Sequence, residues 1–217
     1  MARTVLIAPL TQTDVDAKSF TQPESTFYRA LLHFQRVGLL AQGYQRGLDE
    51  QGNVKHLAEP SGVLLDTLTT RSALFLSDVE TDPWTDEEFA GVVERSRMLV
   101  VTRGAKGVSL YRQNLPDVHV PAKKIKAVDT NGAGDTFATA FMLSASRSSI
   151  EDALMRATWM ASRVCLRPQA CKPECCTEAV REVDPETAQP RPQHAKPDIF
   201  AEKPQLPEEE LQDAQVH

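Results

Sequence analysis

Hydrophobic and polar positions along this chain fall into two alternating textures. Thr4 to Leu10 is a nearly continuous apolar run, and so are Val37–Gly43, Ala73–Leu76 and Met98–Val101. Runs of that length, closed by turn residues, predict strands buried on both faces, as in a parallel sheet. Between them lie stretches with apolar positions three and four apart. Ser25 to Gln35 carries Phe27, Ala30, Leu31 and Phe34; Ser61 to Thr69 carries Val63, Leu64, Leu65 and Leu68. Both predict helices. Thr85-Asp86-Glu87-Glu88 reads as a capping box opening a helix that runs to Arg97. Val108–Tyr111 and Asp117–Val120 predict a hairpin, and Val54–Leu57 an edge strand that pairs back after the turn at Asp49–Asn53. A further helix is expected from Ser148, with Glu151 at its third position, to about Leu166. Strands alternating with helices imply an α/β layered fold with a mostly parallel sheet flanked by helices. Ligands of such sheets lie beyond the carboxyl ends of the strands.

The pattern breaks after Arg167-Pro168. Residues 172–217 hold seven of the fourteen prolines, few large apolar side chains and the run Glu208-Glu209-Glu210. Such a segment buries too little apolar area to offset its ordering entropy, so a disordered acidic tail is expected there, with one domain over 1–171. The net charge of −6 is concentrated in it: from Cys171 onward there are eleven acidic and five basic residues. The remainder is neutral and lacks the clustered Lys and Arg of a nucleic-acid surface. No apolar run is long enough to span a membrane, and the N-terminal apolar stretch is too short for a signal peptide. The default expectation is a soluble cytoplasmic protein with a small-molecule partner. Cys165, Cys171, Cys175 and Cys176 crowd together, but their spacing matches zinc motifs poorly, so they read as reduced thiols.

The chemistry concentrates in Ala127-Val128-Asp129-Thr130-Asn131-Gly132-Ala133-Gly134-Asp135-Thr136-Phe137. Small residues run straight into an apolar helical pattern: Phe137, Ala138, Phe141, Met142, Ala145. A tight turn opening a helix leaves the first backbone N–H groups unpaired and adds the positive end of the helix dipole. Together these make an anion site, most often for phosphate. A carboxylate such as Asp135 is unfavourable beside phosphate unless it takes a proton from an attacking hydroxyl. Neither the Gly-x4-Gly-Lys-Ser/Thr loop nor the dinucleotide fingerprint is present, since Phe137 stands at the third glycine position of the latter.

The string Asp-Thr-x-Gly-Ala-Gly-Asp resembles the second signature of the ribokinase-like (PfkB) carbohydrate kinases. The resemblance implies an anion hole at Gly132, Ala133 and Gly134 for the transferred phosphoryl group, with Asp135 as the catalytic base. It implies donor-phosphate contacts for Thr102, Gly104 and Gly107, whose Thr-x-Gly-x-x-Gly turn follows a strand, and donor-site roles for Asp129 and Thr130. Asp129 and its neighbours surround a monovalent cation in some relatives. Glu80 matches the acid of an Asn-x-x-Glu motif that organises Mg2+; here the motif reads Ser77-Asp78-Val79-Glu80, a departure that resembles the plant inositol-kinase branch. Arg103 and Lys106 are candidate counter-charges. The resemblance covers roughly residues 4–171 and only the C-terminal half of the family's fold, which is therefore incomplete at the N-terminal side; no Gly-Gly pair occurs in the chain. The implied activity is transfer of the γ-phosphoryl group of ATP to an alcohol of a sugar, nucleoside or cyclitol. The alternative is a truncated, non-catalytic nucleotide-binding remnant or interaction protein.

Overall fold

The computed structural model describes residues 4–166. The expected tail at 172–217, together with Cys171, Cys175, Cys176 and the end of the 1–171 domain, lies outside the described residues. Six strands form the main sheet: β1 (Thr4–Ile7), β2 (Arg36–Leu40), β5 (Ser72–Ser77), β6 (Met98–Thr102), β7 (Val108–Tyr111) and β8 (Val118–Val120), in the order β1-β2-β5-β6-β7-β8. The first four are parallel, and β7 and β8 add antiparallel at one end. Two further strands, β3 (Arg46–Leu48) and β4 (Val54–His56), pair antiparallel in a small separate sheet. The helices are α1 (Thr26–Leu32), α2 (Gly62–Thr67), α3 (Asp78–Thr81), α4 (Asp86–Arg95), α5 (Ala133–Ser144) and α6 (Ile150–Val164).

The continuous apolar strands are divided between two cores by their two-residue period. Ala73, Phe75, Met98 and Val100 face one side, where they meet Phe137, Phe141, Met142, Leu154 and Ala157 of α5 and α6. Leu74, Leu76, Leu99 and Val101 face the other, against Phe20, Leu31, Tyr44, Leu64, Trp84 and Val92. A fully buried Leu or Phe in either layer contributes roughly 1.5–3 kcal/mol. Both faces of the sheet are therefore covered, as the unbroken hydrophobicity of β5 and β6 requires.

Several boundaries differ from the sequence expectation. The first strand stops at Ile7, because Pro9 has no N–H to give a ladder. The second stops at Leu40 instead of Gly43. Ala41–Gln45 form a 3-10 turn that lifts the chain off the sheet and buries Tyr44 completely, its hydroxyl donating to the Val15 carbonyl at 2.9 Å. Burial pushes that phenol up to about 12. The helix expected from Ser148 starts one residue later: Ser149 is the N-cap and accepts from the Asp152 N–H, leaving Ser148 to donate to the Ser144 carbonyl. The capping box of α4 forms as expected, with Thr85 and Glu88 bonded reciprocally. Asp14 and Asp16 close turns: Asp14 accepts from the Leu10 and Thr11 N–H groups, and Asp16 caps the 3-10 turn at Ala17–Phe20.

Three carboxylates in turns and caps sit below their usual range. Asp14 is lowered by the Thr11 hydroxyl and the Leu10 N–H, Asp49 by the Asn53 side chain and backbone, and Glu88 by the Thr85 backbone and hydroxyl. A lowered folded-state value contributes stability above the ordinary values of 3.8 for Asp and 4.5 for Glu, lost as pH falls through the folded values. Thermal midpoints measured from pH 7 to 2 should fall through that acid window. Glu88→Gln should be less stable at neutral pH and less acid-sensitive, and Thr85→Ala should cost about 1 kcal/mol.

Candidate active site

Four strands end on the same side of the main sheet, and the chemical residues gather there. Register pairs Ser77, the last residue of β5, with Thr102, the last residue of β6. The turns that follow, Ser77–Glu80 and Thr102–Gly107, therefore leave the sheet side by side. The helix α5 reaches the same end because Phe137, in its second turn, packs against Phe75 of β5 at a ring separation of 6.5 Å.

The turn before α5 is built locally. Asp129 accepts from the Asn131 N–H at 2.9 Å, and the Thr130 carbonyl accepts from the Ala133 N–H at 3.2 Å. Gly132, at φ 70°, occupies the left-handed region and serves as N-cap without a side-chain bond. The Ala133 N–H is thus committed within the turn. Among the described residues the N–H groups of Gly134 and Asp135 have no acceptor, which leaves two open donors at the positive end of the helix. A Cβ placed on Gly134 would meet nothing within 4 Å, so the space above this turn is open. Asp135 is exposed beside it. Val128 and Asp129 donate their N–H groups to the carbonyl of Cys165, at 2.8 and 3.3 Å, which fastens the start of the signature to the end of α6.

The second turn is shaped by Gly107. Its φ is +102°, and a Cβ there would lie 2.1 Å from the Val120 carbonyl oxygen, so only glycine lets this turn pass β8. The Arg103 N–H donates to the Gly107 carbonyl, and the Gly107 N–H to that of Gly104. The side chain of Arg103 is engaged beside the turn: it donates to the Tyr111 hydroxyl at 3.3 Å and to Asp82 at 3.0 Å, and these bonds raise its already high pKa. Lys106 is exposed.

One cleft of ≈ 400 Å³ joins the two turns. Thr102, Gly104 and Gly107 line it from one side, and Thr130, Ala133 and Gly134 from the other. Its walls are otherwise largely apolar, including Val108, Ile125, Phe137 and Ala161, with Lys123 and Lys124 also lining it. Gly132, Asp129, Asp135 and Glu80 do not line this cleft. Ala122 to Ile125 and the α6 residues Thr158 and Ser162 were not singled out from sequence, and Cys165 was read only as a reduced thiol. Thr158 and Ser162 interrupt an otherwise apolar inward face of α6, which is a usable signal; Ser162 satisfies itself on the Trp159 carbonyl, whereas the Thr158 hydroxyl is buried without a partner.

Glu80 lies at the carboxyl end of the sheet with its side chain only 3 % exposed. Its Oε2 accepts from both the N–H and the hydroxyl of Ser77, and Thr81 donates back to the Ser77 carbonyl. Ser77 thus takes a capping role for the short α3. The other carboxylate oxygen, Oε1, faces Arg46 and His56. With one oxygen unoccupied by close donors, Glu80 suits a hard cation that keeps most of its waters. Among the described residues no group of three or more His, Cys, Asp and Glu is placed to cage a metal, and no helix is long and apolar enough to cross a membrane.

A mostly parallel sheet with helices on both faces and a cleft at its strand ends is the ribokinase-like architecture. The microbiome-derived acarbose kinase Mak1 superposes with a TM-score of 0.57 at 17% identity, over 78% of this chain and 51% of that one. Arabidopsis thaliana ribokinase, solved with ribose and ATP, superposes with a TM-score of 0.51 at 21% identity, again over 78% and 51%. Mouse ribokinase is 39% identical over 88 residues, 38% of this chain and 27% of that protein. The model of the pfkB family of carbohydrate kinases matches residues 63–175, more than half of the sequence, and the chain belongs to that family. It spans about half the length of the solved structures it matches.

Two glycines that look alike in sequence should behave oppositely. Gly107→Ala forces a side chain into the Val120 carbonyl at a left-handed φ and should cost at least the roughly 1–3 kcal/mol of a strained backbone position. Gly134→Ala enters open space in a helical first turn, where alanine is favoured by up to about 1 kcal/mol. Denaturant titration of both variants checks this; only the second should keep or raise the midpoint.

Proposed function

We propose that this chain forms the donor-binding and phosphoryl-transfer part of an ATP-dependent kinase acting on an alcohol group of a sugar-like acceptor: a carbohydrate, nucleoside or cyclitol. The observation that carries it is the single cleft in which the Thr102–Gly107 turn meets the open N-terminus of α5, in a chain of this family. The apolar walls suit a nucleobase. The Gly104–Gly107 backbone, with Thr102 and Thr130, suits the phosphates, and the two open N–H groups of Gly134 and Asp135 suit the transferred phosphoryl oxygens.

In this reading Asp135 accepts the proton of the acceptor hydroxyl as that oxygen attacks the γ-phosphorus and the bond to the β-phosphate oxygen breaks, leaving ADP. The turn Gly132–Gly134 is fixed in advance by the Asp129 and Thr130 bonds, so its donors need no reorganisation when charge develops. Glu80 would hold Mg2+ through water, and the ion supplies charge neutralisation on the phosphate oxygens. By the family resemblance, a monovalent cation would lie near Asp129. The coverage of about half of the matched structures favours one second reading, nucleotide binding without turnover by this chain alone, since phosphoryl transfer depends on positioning and exclusion of water.

Calorimetric titration with Mg-bound AMP-PNP and with a panel of sugars, nucleosides and inositols should show nucleotide binding ahead of any acceptor. Tight acceptor binding without nucleotide binding would refute the assignment. Where phosphoryl transfer is measurable, Asp135→Asn should reduce it by about 10²–10⁴-fold with nucleotide affinity kept within a few fold. Gly134→Val, whose side chain would occupy the phosphoryl space without straining the fold, should lose activity and triphosphate affinity at an unchanged thermal midpoint. Near-normal turnover of Asp135→Asn would remove the base from that residue.

A further inference from the structure

The hairpin β3–β4 springs from the end of β2 through the 3-10 turn at Ala41–Gln45, at the carboxyl end of the parallel strands. Register pairs Arg46 directly with His56, so both side chains leave the same face of the hairpin. That face looks onto Glu80. Arg46 approaches Oε1 to 3.7 Å and the His56 Nδ1 to 3.9 Å, both beyond hydrogen-bonding range. The guanidinium is not saturated elsewhere. One terminal nitrogen donates to Gln42 Oε1 at 3.2 Å, while Nε is buried with no partner in the structure. A guanidinium carries five donors in a planar fork that matches phosphate and carboxylate oxygens two at a time. The buried Nε is out of a ligand's reach, but the terminal nitrogens of this partly exposed side chain keep donors to spare. Glu80 holds the positive charge in place at long range without using up its donors.

We propose that Arg46 is an oxyanion-recognising residue, presented by the β3–β4 hairpin to a phosphate or carboxylate bound at the carboxyl end of the sheet. The inference rests on the phosphoryl-transfer reading above and adds a named contact on a hairpin outside the described cleft. The oxyanion has two sources: the terminal phosphate of the nucleotide donor, or an anionic group carried by the acceptor. Arg46 supplies the fork, Gln42 and Glu80 orient it, and His56 lies alongside.

The test compares the full 217-residue chain with Arg46→Gln and Arg46→Lys by calorimetry and thermal shift. The probes are inorganic phosphate, Mg-bound AMP-PNP, ADP, ribose 5-phosphate and gluconate. A loss of tenfold or more for AMP-PNP in Arg46→Gln, with ADP unchanged, assigns the guanidinium to the terminal phosphate. An equal loss for ribose 5-phosphate or gluconate, with both nucleotides unchanged, assigns it to the acceptor. Arg46→Lys should recover part of either loss, since it keeps the charge without the fork. If Arg46→Gln does not fold, weakened oxyanion binding by Arg46→Lys at an unchanged midpoint carries the same conclusion. If the native chain binds no nucleotide, the phosphoryl-transfer reading fails, and the phosphate arm still decides this one: a phosphate-induced rise in midpoint, lost in the variant, supports it. Affinities within twofold across all probes in a folded variant, or no oxyanion binding by the native chain, overturn it and leave Arg46 as a structural partner of Glu80.

Discussion

The pinning of one helix end is the constraint on which the site depends. The open N–H groups of α5 are useful only where a ligand can reach them, at the carboxyl end of the sheet. Two independent ties hold them there. Phe137 and Phe141 stack parallel to each other at 6.3 Å and both meet the edge of Phe75, so the helix cannot slide along β5 without opening a cavity. The Cys165 carbonyl then takes the N–H groups of Val128 and Asp129, which fixes the turn in front of the helix. Each tie joins a chemically inert group to the site, and neither is visible as a motif.

Much of the architecture was legible because it follows from local texture. The strands β5 and β6 read correctly from unbroken apolar runs, and the two cores explain why the runs are unbroken: successive residues serve opposite layers. The capping box at Thr85 and the turn at Asp49–Asn53 were equally local. Misreadings came where a tertiary contact decided the outcome. Ala41–Gly43 looked like the end of a strand by composition, but burying Tyr44 under the Val15 carbonyl draws it into a 3-10 turn. The strand β3 has three residues and no alternation, and only its pairing with β4 makes it recognisable.

The site divides along the same line. The glycines of the Gly132–Gly134 turn and of Gly104–Gly107 announce themselves because backbone conformation is written in residue type. The structure adds what each one does: Gly107 clears the Val120 carbonyl, Gly132 adopts the left-handed cap, and Gly134 leaves space. Arg103 shows the reverse case. A cation beside a phosphate-binding turn reads as a counter-charge, yet Asp82 and Tyr111 claim it. Glu80 read as one acid in a short motif, and neither Arg46 nor His56 was linked to it, since strand pairing alone brings them together.

The bonds from Val128 and Asp129 to Cys165 also set an order of events. Synthesis delivers every strand of the sheet, then the signature, then α6. Until Cys165 has left the ribosome, the signature turn has no anchor, and until α5 and α6 dock, Phe75, Met98 and Val100 lie bare on one face of a nearly finished sheet. Such a surface is where nascent chains associate wrongly or recruit chaperones. Among the described elements the signature turn is therefore the last to be anchored, and the bare face of the sheet is most open to misassociation just before that anchoring.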